Sequence, residues 1–294
     1  MPELPDVVVY IERLEALIGG SALEHLRLGS PWVLRTYDPP ATAVEGHVVT
    51  GLRRMGKRIV VELDGDLFVV IHLMIAGRLR WRARGTAIPK KRGLAALDFP
   101  TGTVLFTEEG TTKRASIHIL RGTEALTEHD RGGYEPLEMT VDQMAEALHR
   151  ERHTLKRSLT DARLISGIGG AYADEIMHRA GVSPIVLTDR LNDAEIGRLH
   201  GATRAVLTEW VERLRSEVGD GFPEKVTAFH PEMMVHGKFG QPCPVCGSPV
   251  QRIVYSSNET NYCPGCQTDG RILADRALSR LLKEDFPRTI EDLE

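Results

Sequence analysis

Apolar residues recur at Val7, Ile11, Leu14 and Ile18, the spacing of one helix face, and Gly19-Gly20 closes the pattern. Pro5 suits the first turn of that helix, where its fixed φ fits and its missing N–H would have had no partner. From residue 21 to about 130 the pattern changes to short strand-like runs. IVVEL (59–63) and DLFVVIHL (66–73) flank Asp64-Gly65, a hairpin turn signal, and LRWRA, ALDF, TVLFT and SIHIL follow. Strands of this density predict an antiparallel sandwich or flattened barrel with the first helix packed against it. After Gly132-Gly133 the strand signals vanish. TVDQMAEALHRE and LNDAEIGRLHGATRAVLTEWVERLRSEV are helical, and LKRSLTDARLISGIGGAYADEIMHRAGVSP between them predicts a short helix, a glycine-rich turn and a helix opening near Ala171. Further on, VQRIVYS and NETNYC alternate like a hairpin, and the tail from Arg271, RILADRALSRLLKEDFP, predicts an amphipathic helix.

Composition narrows the class. A chain of 294 residues, 41% hydrophobic and 27% charged, is long enough for two globular domains of ordinary size. No apolar run approaches the ~18 residues of a membrane span and no charged-then-apolar leader opens the chain, so no membrane association and a cytoplasmic location are expected. A net charge of −4 argues against indiscriminate coating of nucleic acid. Local cation density points the other way. From Arg78 to Arg92 there are seven basic residues and no acid, with Arg53, Arg54, Lys57 and Arg58 upstream. Arg78, Arg80, Arg82 and Arg84 would share one side of a strand, either as a solvated edge or as a phosphate-contacting face.

The first six residues, Met-Pro-Glu-Leu-Pro-Asp, carry candidate chemistry. Removal of Met1, which the small Pro2 permits, exposes a secondary amine beside the carboxylate of Glu3. An α-amino group titrates near ~7.7–8.0 against ~10.4 for lysine, so part of it is unprotonated at neutral pH. Such an amine can attack a sugar C1′ or a carbonyl and form an iminium. The helix that follows points its positive end at the amine and disfavours the ammonium. The alternative is ordinary helix-start grammar, a proline before a capping acid. At the glycine-rich turn, backbone amides of residues 167–170 before a helix start make a phosphate cradle, or a tight helix–helix turn of the packing kind.

Cys243-x2-Cys246, sixteen residues, then Cys263-x2-Cys266 uses every cysteine in the chain and matches a four-cysteine zinc site. One structural Zn2+ is expected on a finger built from two strands. Two disulfides are the competing arrangement and suit a cytoplasmic chain poorly.

An N-terminal PELP, RRMGKRIVVEL, VIHLMIAGRLR, YEPL at 134–137, GIGGAYADEI and the cysteine finger, in this order, resemble the formamidopyrimidine-DNA glycosylase / endonuclease VIII family from Pro2 to Gln267. The resemblance implies an α+β chain: residues 1–131 an N-terminal helix with an antiparallel β-sandwich, 132–235 a helix-two-turns-helix DNA-binding domain, and 236–294 a β-hairpin zinc finger with a C-terminal helix. It implies a monomeric DNA-repair glycosylase with lyase activity, acting on oxidised bases in damaged double-stranded DNA at the nucleoid. Pro2 would be the nucleophile, Glu3 the proton handler and Lys57 the phosphate-contacting catalytic lysine. Ile75 falls where the family carries a methionine wedge, and Arg114, in TTKRAS, matches its arginine opposite the estranged base. Lys156, Gly170 and Asn258 fall at DNA-contacting positions. Gly170 stands for a phosphate-holding asparagine, Asn258 for an arginine that grips the backbone, Ala115 for an aromatic and Asp6 for a glutamate, while the Arg78 to Arg92 run is a candidate compensator. A protein that recognises damaged or branched DNA without cutting it, and a zinc-ribbon module of transcription or translation, are the alternative readings.

Overall fold

A computed structural model describes residues 1–110, 112–224, 226, 229–255, 258–273, 281 and 286–293. The chain divides into two compact units, Met1–Arg131 with Trp210–Thr227, and Gly132–Glu209 with Ala228–Glu294.

In the first unit, helix α1 (Leu4–Ile18) has Glu3 as its N-cap and a proline in its first turn, and Asp6 accepts from the Glu3 N–H at 2.7 Å as one arm of a capping box. Val7, Tyr10, Leu14 and Ile18 are fully buried on its inner face. Each such apolar side chain stabilises the fold by ~1.5–3 kcal/mol. Eight strands follow: β1 (His25–Leu28), β2 (Val49–Met55), β3 (Arg58–Leu63), β4 (Leu67–His72), β5 (Gly77–Arg82), β6 (Gly93–Phe99), β7 (Gly102–Glu108) and β8 (Ser116–Arg121). They form two four-stranded antiparallel sheets, β1-β6-β7-β5 and β2-β3-β4-β8. Residues from both sheets, among them Val61, Val69, Leu97 and Phe106, join the inner face of α1 in one apolar core. The sandwich expected from the short runs is therefore present. Strands β1 and β2 went unread: β2 carries Gly51, Arg53 and Arg54, and its register slips between Val49 and Gly51, so its alternation is broken. A short helix, α2 (Thr123–Glu128), packs Leu126 on the outer cluster of Val60, Phe68 and Val70.

In the second unit come α3 (Val141–His149), opened by a Thr140–Gln143 capping box, α4 (Leu155–Thr160), α5 (Gly170–Ala180) and the long α6 (Asp193–Val218), whose residues from Trp210 onward are assigned to the first unit. The finger is the hairpin β9 (Gln251–Tyr255) and β10 (Asn258–Tyr262), followed by one turn of helix, α7 (Pro264–Gln267). The amphipathic helix expected from Arg271 falls largely at 274–280 and 282–285, outside the described residues. Its first residues pair differently, since Arg271 bridges to Thr289 and the Ile272 N–H donates to the Arg288 carbonyl at 2.7 Å. Among the described residues no helix is long and apolar enough to cross a membrane.

Candidate active site

The start of α1 sets the chemistry. Pro2 is buried and Glu3 is 3% exposed. The chain's amino group, on Met1 in this structure, sits at the same point. Its pKa is lowered first by burial and further by Arg78 and Lys57, while Glu3 and Asp6 raise it. Burial is therefore the largest influence favouring the neutral amine. Lys57 reaches this group from another element. It occupies the two-residue turn between β2 and β3, whose register closes at Met55 opposite Arg58, and Gly56 takes φ 62°, the left-handed conformation such a turn requires at its first position. Burial lowers the Lys57 pKa against the opposing pull of Glu3. An amine, a carboxylate and an ammonium thus converge from two separate segments. Beside Lys57 the surroundings stay cationic: His72 is pushed down to about 4 by burial, with Arg58, Lys57, His118 and Arg131 adding to the effect. A neutral imidazole within a cluster of positive charge is suited to meet a phosphate.

Asp6, which stands for a glutamate in the resemblance, is buried beside the amine. Burial pushes its pKa up to about 7 from 3.8, although the Glu3 N–H opposes the shift. The folded chain therefore keeps a proton on Asp6 that the unfolded chain has already released near pH 4. The stability that this proton contributes is fully present below about pH 4 and is lost as the pH climbs through 7. Asp6→Asn, which stays neutral and can still accept from the Glu3 N–H, should melt close to wild type at about pH 4 and higher than wild type at about pH 8. Thermal melts across that range check it, and a constant gap would contradict it.

Ile75 lies in a continuous apolar stretch, yet it is 61% exposed at the tip of the turn between β4 and β5, where Met74 adopts φ 51°. A buried strand position is thereby excluded. Arg114 is exposed in the turn between β7 and β8, while Ala115 is buried and faces the core. This turn is held by Glu108. Its carboxylate, 1% exposed, accepts from the backbone N–H groups of Arg114 at 3.0 Å and of Ala115 at 3.3 Å. Glu108→Ala leaves those donors without an acceptor, at ~1–3 kcal/mol. The expected result is a lower Tm with trypsin cleavage at Lys113 and Arg114 several-fold faster than in wild type.

The arginine run of β5 does not form an open cationic stripe. Arg80 pairs with Glu109 and Glu224, Arg82 with Glu224, Arg84 with Glu24, and Arg92 with Glu109. Those acids are distant in sequence, so the run looked uncompensated. Four of the seven cations between Arg78 and Arg92 are engaged by three acids of the same unit, which weakens the run as a substitute for lost phosphate contacts.

In the second unit Gly170 opens α5, and a Cβ built there meets only Lys156 Nζ at 3.9 Å, ordinary contact. A larger residue fits that position. The Lys156 ammonium donates to the Gly170 carbonyl at 2.6 Å and pairs with the fully buried Asp174. Lys156 thus braces the turn from within. Asn258 is exposed at the end of the finger hairpin, opposite Tyr255 in register. Asp174 and Glu175 form a network that sequence reading missed. Asp174 accepts from His236 Nδ1 at 2.8 Å and Asn261 N at 3.2 Å, and Glu175 accepts from the backbone N–H groups of Met234, Val235 and His236 at 2.8–2.9 Å. The adjacent acids on a buried helix were its only signal.

The cysteines fit zinc. Cys243 and Cys266 sulfurs lie 3.9 Å apart and those of Cys246 and Cys263 3.3 Å apart. Two thiolates on a tetrahedral zinc, with Zn–S of ~2.3 Å, are about 3.8 Å apart. Burial raises the thiols of Cys263 and Cys266, the latter to about 12, so a bound cation is what allows these sulfurs to be thiolates together. One structural zinc belongs here.

Three family models match in chain order: the formamidopyrimidine-DNA glycosylase N-terminal domain over residues 1–115, the H2TH domain of the same enzymes over 133–220, and a zinc finger found in FPG and IleRS over 240–268. A formamidopyrimidine-DNA glycosylase of Solibacter usitatus is 30% identical over 91% of this chain and 99% of its own length. An uncharacterized formamidopyrimidine-DNA glycosylase-like protein of Mycobacterium tuberculosis is 39% identical over 51% of this chain and 94% of its own. Among solved structures, the MutM (FPG) protein of Thermus thermophilus is 30% identical with a TM-score of 0.75, covering 90% of this chain and 98% of that one. MutM in complex with DNA containing carbocyclic 8-oxo-G is 25% identical with a TM-score of 0.81, covering 91% and 100%. With all three parts matched in order and a full-length relative at this identity, the chain belongs to the formamidopyrimidine-DNA glycosylase family of DNA-repair enzymes.

Proposed function

We propose that the protein is a bifunctional DNA glycosylase and abasic-site lyase that removes oxidised bases from damaged double-stranded DNA. The observation that carries this reading is the buried amino terminus with Glu3 and Lys57 converging on it. With Met1 removed, the Pro2 nitrogen attacks C1′ while the base departs with a proton delivered near Glu3. The amine proton is lost, the sugar ring opens, and an iminium links Pro2 to C1′. The iminium acidifies the C2′ hydrogen. Loss of that proton expels the 3′ phosphate by β elimination, and a second loss expels the 5′ phosphate by δ elimination. Lys57, at its turn, meets a phosphate, and Ile75, exposed and apolar, fills the gap left by an extruded nucleotide. Arg114 reads the opposite base. The enzyme acts as a monomer in the cytoplasm, at the nucleoid, with no membrane partner.

Borohydride trapping on duplexes carrying an abasic site, 8-oxoguanine or an oxidised pyrimidine tests this. A covalent adduct is expected, and it should be lost when an extra residue precedes Pro2. Gly170 and Asn258 lack the family's phosphate-holding side chains, which favours one second reading, a protein that binds damaged DNA without cutting it. Tight binding with no adduct on any substrate would establish that reading instead.

A further inference from the structure

A further potential donor lies beside the four cysteines. Helix α5 contributes His178, whose Nε2 lies 3.3 Å from Cys243 Sγ. The ligand atoms of His178, Cys243, Cys263 and Cys266 all lie within 4.8 Å of one another, and the first three residues are buried. Cys246, by contrast, is exposed. This set shares Cys243, Cys263 and Cys266 with the four-cysteine motif and differs in the fourth donor, a buried imidazole in place of an exposed thiol whose sulfur lies 3.3 Å from that of Cys263. Four cysteines, and three cysteines with one histidine, are both ordinary structural zinc sets.

We propose that His178 is a reserve zinc ligand: when the Cys246 thiolate is removed or blocked, His178 Nε2 completes the tetrahedron with Cys243, Cys263 and Cys266, and the finger keeps its metal. His178 Nε2 and Cys243 Sγ already stand near the separation of a bound pair. A nitrogen at ~2.0–2.1 Å and a sulfur at ~2.3 Å from a tetrahedral zinc are about 3.6 Å apart, within a few tenths of the separation in this structure. The imidazole is also held in place. His178 lies one turn beyond Asp174 on a helix tied to the finger strand by Asn261 N, to His236, and through Glu175 to three successive backbone N–H groups. With all four cysteines bound, Nε2–H donates to the Cys243 sulfur. In the exchanged state the proton resides on Nδ1, the Zn–S bond to Cys246 is gone, and a Zn–N bond replaces it. No redox change is involved.

The test compares the purified full chain with Cys246→Ser, His178→Ala, the double variant and Cys263→Ser. Cys246→Ser and His178→Ala should each retain one zinc per chain. In chelator competition the double variant should bind zinc on the order of 100-fold more weakly than Cys246→Ser, as loss of a ligand requires. In the cobalt-substituted Cys246→Ser protein the thiolate-to-metal charge-transfer band should fall by about a quarter, three thiolates replacing four. Loss of zinc from Cys246→Ser as complete as from Cys263→Ser, or a double variant no weaker than Cys246→Ser, would overturn the proposal. Should the double variant fail to fold, alkylating Cys246 on the intact zinc-loaded proteins decides it. By native mass spectrometry the alkylated wild type should retain zinc and alkylated His178→Ala should lose it; equal retention refutes the reserve ligand.

Discussion

Replacing Glu3 by glutamine is expected to slow release of the damaged base by about 10²- to 10⁴-fold, the usual contribution of a positioned proton donor or acceptor. The substitution isolates the chemistry. Glutamine has nearly the same volume, so the 3% exposed site stays filled. The Glu3 backbone N–H still donates to Asp6 Oδ2, so the first turn of α1 remains closed. What is lost is the ability to take and give a proton beside the amine and Lys57. Single-turnover base release and trapping on a preformed abasic site should therefore separate, with release falling far more than trapping and abasic-duplex affinity changing by only several-fold. Equal losses in all three would point to a damaged fold, and an unchanged release rate would remove Glu3 from the mechanism.

The division between what the residues disclosed and what they concealed follows sequence distance. IVVEL, DLFVVIHL and the cysteine spacing are local patterns, and local backbone physics makes β3, β4 and the finger from them. Strand β2 is the opposite case, since Gly51 and its arginines erase the alternation and the pairing with β3 restores it. Ile75 sits among apolar neighbours, and the left-handed Met74 turns the chain there and puts Ile75 outside. The arginines of β5 looked uncompensated because Glu24, Glu109 and Glu224 lie far along the chain. His178 is 65 residues from Cys243, and no spacing rule joins them. The amine, by contrast, was visible in the first six letters, whereas the burial that favours its neutral form comes only with the fold.

Asp174→Ala is expected to destabilise the second unit by ~3–5 kcal/mol, the cost of breaking a buried ion pair by removing one member. Asp174 is fully buried and holds together three segments: Lys156 from α4, His236 before the finger, and Asn261 in β10. Alanine leaves the Lys156 ammonium, whose side chain is 17% exposed, facing the Gly170 carbonyl without its counter-ion. It also leaves the buried Asn261 N–H without its acceptor. Denaturant unfolding should show the loss, and zinc affinity should weaken with it, because one of the links that fasten the finger to α5 is then gone. Asp174→Asn, which keeps an acceptor but not the charge, should lose less. The charge and the shape can be separated with Lys156→Met. Combined with Asp174→Leu it removes both members of the pair, and the double variant should recover stability relative to Asp174→Ala. If Asp174→Ala unfolds like wild type, Asp174 is not what holds the finger to the helix, and the rigidity on which His178 depends must come from other links such as Glu175, the Gln267 bond to the Val182 carbonyl and the metal.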